Sequence, residues 1–277
     1  MTDIQYISDI HVDYNEFIGK KRRDFSIEKS ADILAVVGDV SNDIKVSIPY
    51  IESIQKKYKY RKLIFVPGNH EYYKRGIEPT NHIIKKFNSS NHKGRIKILN
   101  NSSCSIDKNI VVFGTTLWSG LKDPVQEYDI VSRIQDFRQI KYMNARFRAS
   151  SIRELHQIAC NSIDQFRKHE VCNYKHKVLL SHFLPSYRCT HDMYKTGPDS
   201  RFNSFFCADI NEELLNYFDV CIYGHSHEVV DTAHLTTLLT NNPVGIHAIG
   251  EGRRFDPYKK ISLEKESFVV KSGTLIQ

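Results

Sequence analysis

The chain has 277 residues, 40% hydrophobic and 26% charged, and its 39 Lys and Arg against 32 Asp and Glu leave a formal net charge of +7. This is an ordinary composition for a globular protein, with length enough for one large domain or two small ones and a sizeable core. No run approaches the roughly 18 apolar residues that would span a membrane, and the opening MTDIQYISDIHV lacks the basic region and long apolar core of a signal peptide, so a cytoplasmic location and no membrane partner are expected.

Short apolar, β-branched runs recur with polar or helical segments between them. In chain order, strands are predicted at 4–8, 33–37, 62–66, 96–99, 110–118, 177–181 and 220–224, then at 236–241 and as a pair within 261–270. Helices are predicted at 44–59, 80–87, 150–168 and 209–217. The third of these carries apolar residues at helical spacing behind Ser150 and Ser151, which suit a cap. Strands alternating with helices argue for a layered α/β fold. The strand-rich last third argues for a second, more antiparallel portion. There is no internal repeat, and the 13 Gly and 8 Pro are spread too thinly to mark a linker, so one domain over 1–277 is expected. Segment 119–149 is charged and weakly periodic, and reads either as an insertion over the rim of a site or as a surface connection.

The six cysteines, Cys104, Cys160, Cys172, Cys189, Cys207 and Cys221, contain no C-x-x-C pair, which argues against a zinc knuckle. Without an export signal they read as free thiols, several of them buried. Basic residues cluster in KKRR (Lys20 to Arg23) and KKYKYRK (Lys56 to Lys62). A basic face attracts anionic substrates or nucleic acid. Neither run carries a groove-reading motif, and a solvated helix surface is the favoured reading of both.

The chemistry lies just past the predicted strands. IQYIS runs into Asp9 and His11, ILAVV into Gly38 and Asp39, and KLIFV into a Pro-Gly bend followed by Asn69 and His70. KVLLS runs into His182, and VCIY into GHSH with His225 and His227. In an α/β sheet, ligands bind at the carboxyl ends of the strands. One His after a strand is unremarkable; five strand ends in register are not. Carboxylate, imidazole and amide oxygen suit hard or borderline divalent metals. D-x-H and H-x-H place alternate side chains on one face of an extended backbone, within reach of one ion. A single Asp between two ions can bridge them. Such a pair, about 3.5–4 Å apart, clamps both attacking and leaving oxygens in an in-line displacement and acidifies a bridging water.

The ordered blocks DIH, GDV, GNHE, SHF and GHSH resemble the calcineurin-like metallophosphoesterase superfamily, with normal spacings. GTTLW, DFRQI, FNSFFCADI and the closing NNPVG and FDP resemble a small, single-domain bacterial and phage-type branch, so the likeness covers nearly the whole chain. It implies a four-layer αββα sandwich of two mixed β-sheets with a dimetal site at the sheet edge. By motif position it implies that Asp9, His11 and His227 bind one metal, that Asn69, His182 and His225 bind the second, and that Asp39 bridges them. His70 takes the place of the non-ligand histidine that contacts the phosphate and assists the leaving oxygen. Glu71 is expected to support the site or a helix start rather than bind metal. The protein phosphatase branch carries an Asp three residues after its bridging Asp to orient this histidine. Here Asn42 stands at that position and Asp43 one further on, which leaves the orienting partner of His70 open and argues against protein phosphatase activity.

The expected activity is therefore a metal-dependent phosphoester hydrolysis, by attack of a metal-bridging hydroxide, with small phosphodiesters or nucleotides favoured as substrates. A nuclease acting on DNA or RNA is the alternative within the same chemistry. A catalytically silent metal-binding scaffold is the rival of another class, and such scaffolds typically lack the acid histidine or some ligands. Manganese is favoured, while Fe, Zn, Ni and Mg also fit the ligand types. Tyr72, Tyr73, Trp118 and Phe206 are either base-stacking or packing residues. Arg138, Asn203, Arg253 and Arg254 are candidate substrate contacts by placement; Arg suits bidentate phosphate recognition.

Overall fold

The computed structural model describes residues 2–17, 26–91, 94–123, 125–169, 174–263 and 268–271. In chain order its strands are β1 (Thr2–Ile7), β2 (Ile33–Val37), β3 (Lys62–Val66), β4 (Ile96–Ile98), β5 (Ser102–Ser105), β6 (Ile110–Thr115), β7 (Lys141–Tyr142), β8 (Ala145–Arg146), β9 (His176–Ser181), β10 (Val220–Tyr223), β11 (Thr232–His234), β12 (Thr237–Asn241), β13 (Lys260–Leu263) and β14 (Phe268–Lys271). They form two six-stranded sheets, in spatial order β14-β13-β1-β2-β3-β4 and β11-β12-β10-β9-β6-β5, plus the small hairpin β7-β8. Neighbours within β1 to β4 are parallel, as are β6, β9, β10 and β12 along their sheet. Antiparallel β13, β14, β5 and β11 extend the edges.

The side chains of β2 show why the sheets stack. Ile33, Ala35 and Val37 point into the core between the sheets, with Tyr6, Val112, Leu180 and Ile222. Leu34 and Val36 point the other way, onto Ile44, Ile51, Ile54 and Ile84, which are carried by helices Ile44–Tyr58 and Ile77–Ser90. A parallel strand covered on both faces needs a continuous apolar run, and ILAVV supplies one. On the far side, helix Ala149–His169 lays Ile152, Leu155, Ala159, Ile163 and Phe166 over Phe113, Leu179 and Cys221 of the second sheet. The result is helix, sheet, sheet, helix.

The sequence expectation holds for this architecture and fails at particular places. The run at 110–118 ends as a strand at Thr115, because the chain turns and Leu117 adopts a left-handed φ of 53°. Helix 209–217 contracts to Glu212–Leu215. The last third is not a separate antiparallel portion: β10 to β12 complete one sheet, while β13 and β14 complete the other. Segment 119–149 contains helices Glu127–Arg133 and Asp136–Gln139 and the β7-β8 hairpin. Its Ile130, Phe137, Ile140 and Phe147 are buried in the core that contains Phe183. The five described cysteines are free thiols, with Cys189, Cys207 and Cys221 buried; Cys172 and the KKRR cluster lie outside the described residues. Lys56 and Lys57 sit exposed in the last turn of helix Ile44–Tyr58, and no helix of the described residues is long and apolar enough to cross a membrane.

Phe166 fastens the outer helix to its sheet, its ring 5.0 Å from that of Phe113 and 6.1 Å from that of Phe218. Phe166→Ala is expected to lower the free energy of unfolding by about 3–5 kcal/mol through the cavity it leaves. A denaturant titration reads this, and a change below 1 kcal/mol would mean that the helix is held elsewhere.

Candidate metal centre

The carboxyl ends of β1, β2 and β3 in one sheet and of β9 and β10 in the other open onto one place. To deliver a side chain there, the backbone must bend as it leaves each strand. Asp9, His11, Asp39 and His225 do so with left-handed φ angles of 53°, 48°, 55° and 66°. Asp and His enter this region more readily than most residues, at a cost of about 1–3 kcal/mol each.

Asp39 lies at the centre. Its Oδ2 is 3.3 Å from His182 Nε2, 3.8 Å from His70 Nε2 and 3.9 Å from His11 Nε2. Its Oδ1 accepts the backbone N–H of His70 at 3.0 Å. On one side His11 Nε2 meets His227 Nε2 at 3.0 Å, and His227 Nε2 is 3.6 Å from Asp9 Oδ1. On the other, His182 Nε2 is 3.0 Å from Asn69 Oδ1, and the His182 and His225 rings are 5.0 Å apart. Both oxygens of Asp9 accept the backbone N–H of His225 at 3.1 Å. Asp9, His11 and His227 form one group with ligand atoms within 4.8 Å of one another, Asp39, His182 and His225 a second, and His11, Asp39 and His70 a third.

The charges in this space constrain one another. Burial pushes His11 and His225 well below the usual imidazole range. Burial acts the same way on His182 and His227, but carboxylates outweigh it: Asp39 raises His182 to about 9, and Asp9 with Glu251 raises His227 to about 10. Burial alone would raise Asp39; His182 and His70 instead hold it well below the carboxylate range. Among the described residues, the buried ring nitrogens His11 Nδ1 and His225 Nε2 have no hydrogen-bond partner. Neutral imidazoles with unused nitrogens, set among carboxylates, fit a divalent cation of borderline hardness.

A layer of polar partners fixes how the rings face. The Nδ1 of His182 lies 3.0 Å from the Val37 carbonyl, so the ring donates there and turns Nε2 to the cluster. His227 Nδ1 pairs with Glu251 Oε2 at 2.5 Å. His70 Nδ1 pairs with Asn42 Oδ1 at 2.6 Å, and its ring stacks on Tyr73 at a centroid distance of 4.3 Å. The orienting partner of His70 is thus Asn42. Asp43 caps helix Ile44–Tyr58 instead, accepting from Lys45 N–H and pairing with Arg75. Glu71 is wholly buried. Its carboxylate accepts from the backbone N–H groups of Asp39, Val40, Ser41 and Gly68 and from the Ser47 hydroxyl, at 2.7–3.2 Å. It therefore staples the turn after β2 to the turn after β3. Burial and then Asp39 raise the Glu71 carboxyl, against the hydrogen bonds from Gly68 and Ser47.

The eight residues Asp9, His11, Asp39, Asn69, His70, His182, His225 and His227 are thus brought together. Arg138 and Asn203 are not joined to them. Arg138 is exposed and its guanidinium donates to the Ser132 carbonyl, while the Asn203 amide donates to the Tyr194 carbonyl at 2.8 Å. Arg253 and Arg254 are exposed on the loop that carries Glu251. Of the aromatics, Tyr72 and Trp118 are buried against each other, Tyr73 supports His70, and Phe206 is half-buried 5.1 Å from the His225 ring. Asp136 and Glu251 are site residues that the sequence reading passed over. Asp136 lies in DFRQI, two positions before Arg138, and Glu251 lies two positions before Arg253.

Two face-packed mixed sheets with such a cluster at their strand ends define a class of metal-dependent hydrolases. The chain belongs to the calcineurin-like phosphoesterase family, whose model matches residues 4–229. It is accordingly a metal-dependent phosphoric ester hydrolase. It is 27% identical to the uncharacterized protein L509 of Acanthamoeba polyphaga mimivirus, over 96% of this chain and 98% of that one. Its fold resembles the crystal structure of the phosphopantetheinyl hydrolase PptH from Mycobacterium tuberculosis, with a TM-score of 0.65 at 15% identity, covering 88% of this chain and 89% of that one.

Gly68 has no room for a side chain: a Cβ there would lie 2.2 Å from Asp39 Oδ1 and 2.7 Å from His182 Nε2. Gly68→Ala is expected to displace both groups, reducing bound metal per chain by elemental analysis while the circular dichroism spectrum stays native. Full metal content in this variant would show that Asp39 and His182 do not both act as ligands in the positions described.

Proposed function

We propose that the chain hydrolyses a small phosphoester, a phosphodiester or nucleotide, at this cluster. Asp9, His11 and His227 would hold one divalent ion, Asn69, His182 and His225 would hold a second, and Asp39 would serve both. His70 is left free of metal and acts on the leaving group. The single observation that carries this reading is the double constraint on His70. Its Nδ1 is tied to the Asn42 amide oxygen, which can only accept, while Nε2 faces the same space as Asp39 Oδ2. Nδ1 therefore keeps its proton and Nε2 is the atom that exchanges one.

When bound, the ions supply charge against the phosphoryl oxygens and a water acidified to near neutral pH. The chain's own groups do the rest. The carboxylates of Asp9 and Asp39 balance the cationic charge, and the Glu71 staple keeps the two turns in register. Tyr73 stacks on one face of the His70 ring, which leaves Nε2–H, in the ring plane, to pass its proton to the departing oxygen as the P–O bond breaks. Manganese suits a set of four His, two Asp and one Asn better than magnesium does, since magnesium prefers oxygen ligands and keeps its waters. A turnover screen over phosphomonoesters, phosphodiesters, cyclic nucleotides, phosphopantetheinyl esters and oligonucleotides identifies the substrate; efficient cleavage of oligonucleotides alone would replace the small-molecule reading.

Removal of metal by chelator is expected to abolish turnover, with manganese restoring it best. Asp39→Asn is expected to be the most damaging ligand change, because an amide cannot balance two dications. Turnover that persists in chelator would refute the metal mechanism, and two tightly held ions per chain in the Asp39 variant would refute the bridge.

His70→Ala is expected to keep both ions and lose about 10²–10⁴-fold in rate on an alkyl ester, roughly 3–5 kcal/mol of barrier. An aryl ester, whose leaving group departs without a proton, should lose much less. Equal losses on both esters with intact metal would make His70 an electrostatic clamp. Loss of metal would make it a ligand, as its place in a group with His11 and Asp39 allows.

A further inference from the structure

Segment 119–149 sends one charged side chain to the edge of the cluster. Asp136, the first residue of helix Asp136–Gln139, is 2% exposed. Its Oδ1 accepts two hydrogen bonds, from Asn69 Nδ2 at 3.0 Å and from the Tyr73 hydroxyl at 2.5 Å. Both donors leave the turn after β3, on either side of His70 and Glu71. Its Oδ2 is buried and has no partner among the described residues.

An amide side chain has an oxygen end and a nitrogen end, exchanged by a half-turn about its last bond, and only the oxygen can bind a cation. What decides between the two orientations is the partner on the far side. Asp136 Oδ1 is an acceptor to both donors whether or not Oδ2 carries a proton. With Nδ2 held there, the Asn69 oxygen is left 3.0 Å from His182 Nε2, facing the cluster. A group needed only to pin segment 119–149 against the core would not require a carboxylate, since an unpartnered buried oxygen costs stability. The segment's apolar anchors Ile130, Phe137, Ile140 and Phe147 already serve that purpose.

We infer that Asp136 is a positioning residue for the second metal position, holding the Asn69 amide with its oxygen toward the ion. This rests on the assignment of Asn69 as a ligand. The reach is long in sequence, from a helix start in the 119–149 segment to the turn after β3, a separation of 67 residues. It makes that segment part of the metal centre rather than a cover over it.

The test is manganese affinity, measured by competition with a chelator and paired with metal content, on the full chain. The wild type should hold two ions, and Asn69→Ala should weaken one of them. Asp136→Leu keeps the shape and removes both acceptors; it should weaken the same ion by about 10–100-fold and spare the other. Asp136→Asn, whose amide oxygen can accept both hydrogen bonds, should keep both ions within a few-fold of wild type. Wild-type affinity for both ions in the Leu variant overturns the inference. So does loss of the ion in the Asn variant, which would point to charge rather than orientation. If the Leu variant does not fold, the Asn variant decides by that same criterion. If Asn69→Ala leaves both ions unchanged, the ligand assignment itself falls, and a weakened ion in the Leu variant would then need another route.

Discussion

The Asp39 carboxylate, buried among imidazoles, is the point on which the site's arrangement turns. A carboxylate so removed from water would ordinarily shed its charge. Here His182 and His70 hold it below the carboxylate range, and in return Asp39 raises His182 against burial. Each shifts the other against the pull of burial. Their approach to 3.3 Å depends in turn on what is missing around them. The Cα of Gly38 and of Gly68 pass so close that a Cβ would lie 2.1 Å from His182 Nδ1 or 2.2 Å from Asp39 Oδ1. Glu71 then keeps the two turns at that separation, because its carboxylate draws backbone N–H groups from both at once.

Such a site works against the fold that carries it. Left-handed backbone at four cluster residues, buried charges and unpartnered ring nitrogens are all costs relative to an apolar interior. They are concentrated at one end of the sheets, where the strands stop. The opposing contribution comes from the three apolar layers, in which β2, β3, β9 and β10 are covered on both faces. The division explains why the functional residues lie after the strands rather than within them: the pleated core is left intact, and the cost falls on turns.

Sequence reading recovers the parts of this design that are local. The runs ILAVV, KLIFV and KVLLS are strands within a residue of their predicted bounds, because a doubly covered parallel strand must be continuously apolar. Asp9, Asp39, Asn69 and His182 are recognisable because each follows such a run directly. What is not legible depends on tertiary partners. SSCS forms β5 without any apolar alternation, held by pairing with β6. Asp136 and Glu251 reach the site from segments whose own periodicity is weak, and nothing in their neighbours' composition distinguishes them from surface acids. The choice of Asn42 over Asp43 as the partner of His70 depends on a helix start: Asp43 is occupied in capping, which a sequence alone leaves open.

The cluster is also divided along the chain. His227 meets His11 across 216 residues, and Asp9 receives the His225 backbone across the same span. During synthesis, Asp9, His11, Asp39, Asn69 and His70 emerge on the first sheet long before β9 and β10 exist to close over them. Until the GHSH turn leaves the ribosome, half of a strongly polar pocket stands without its other wall, next to an apolar sheet face still waiting for a partner. Docking of β9 and β10 buries that face and brings His182, His225 and His227 to the residues already in place, so the site is completed by the joining of the two sheets.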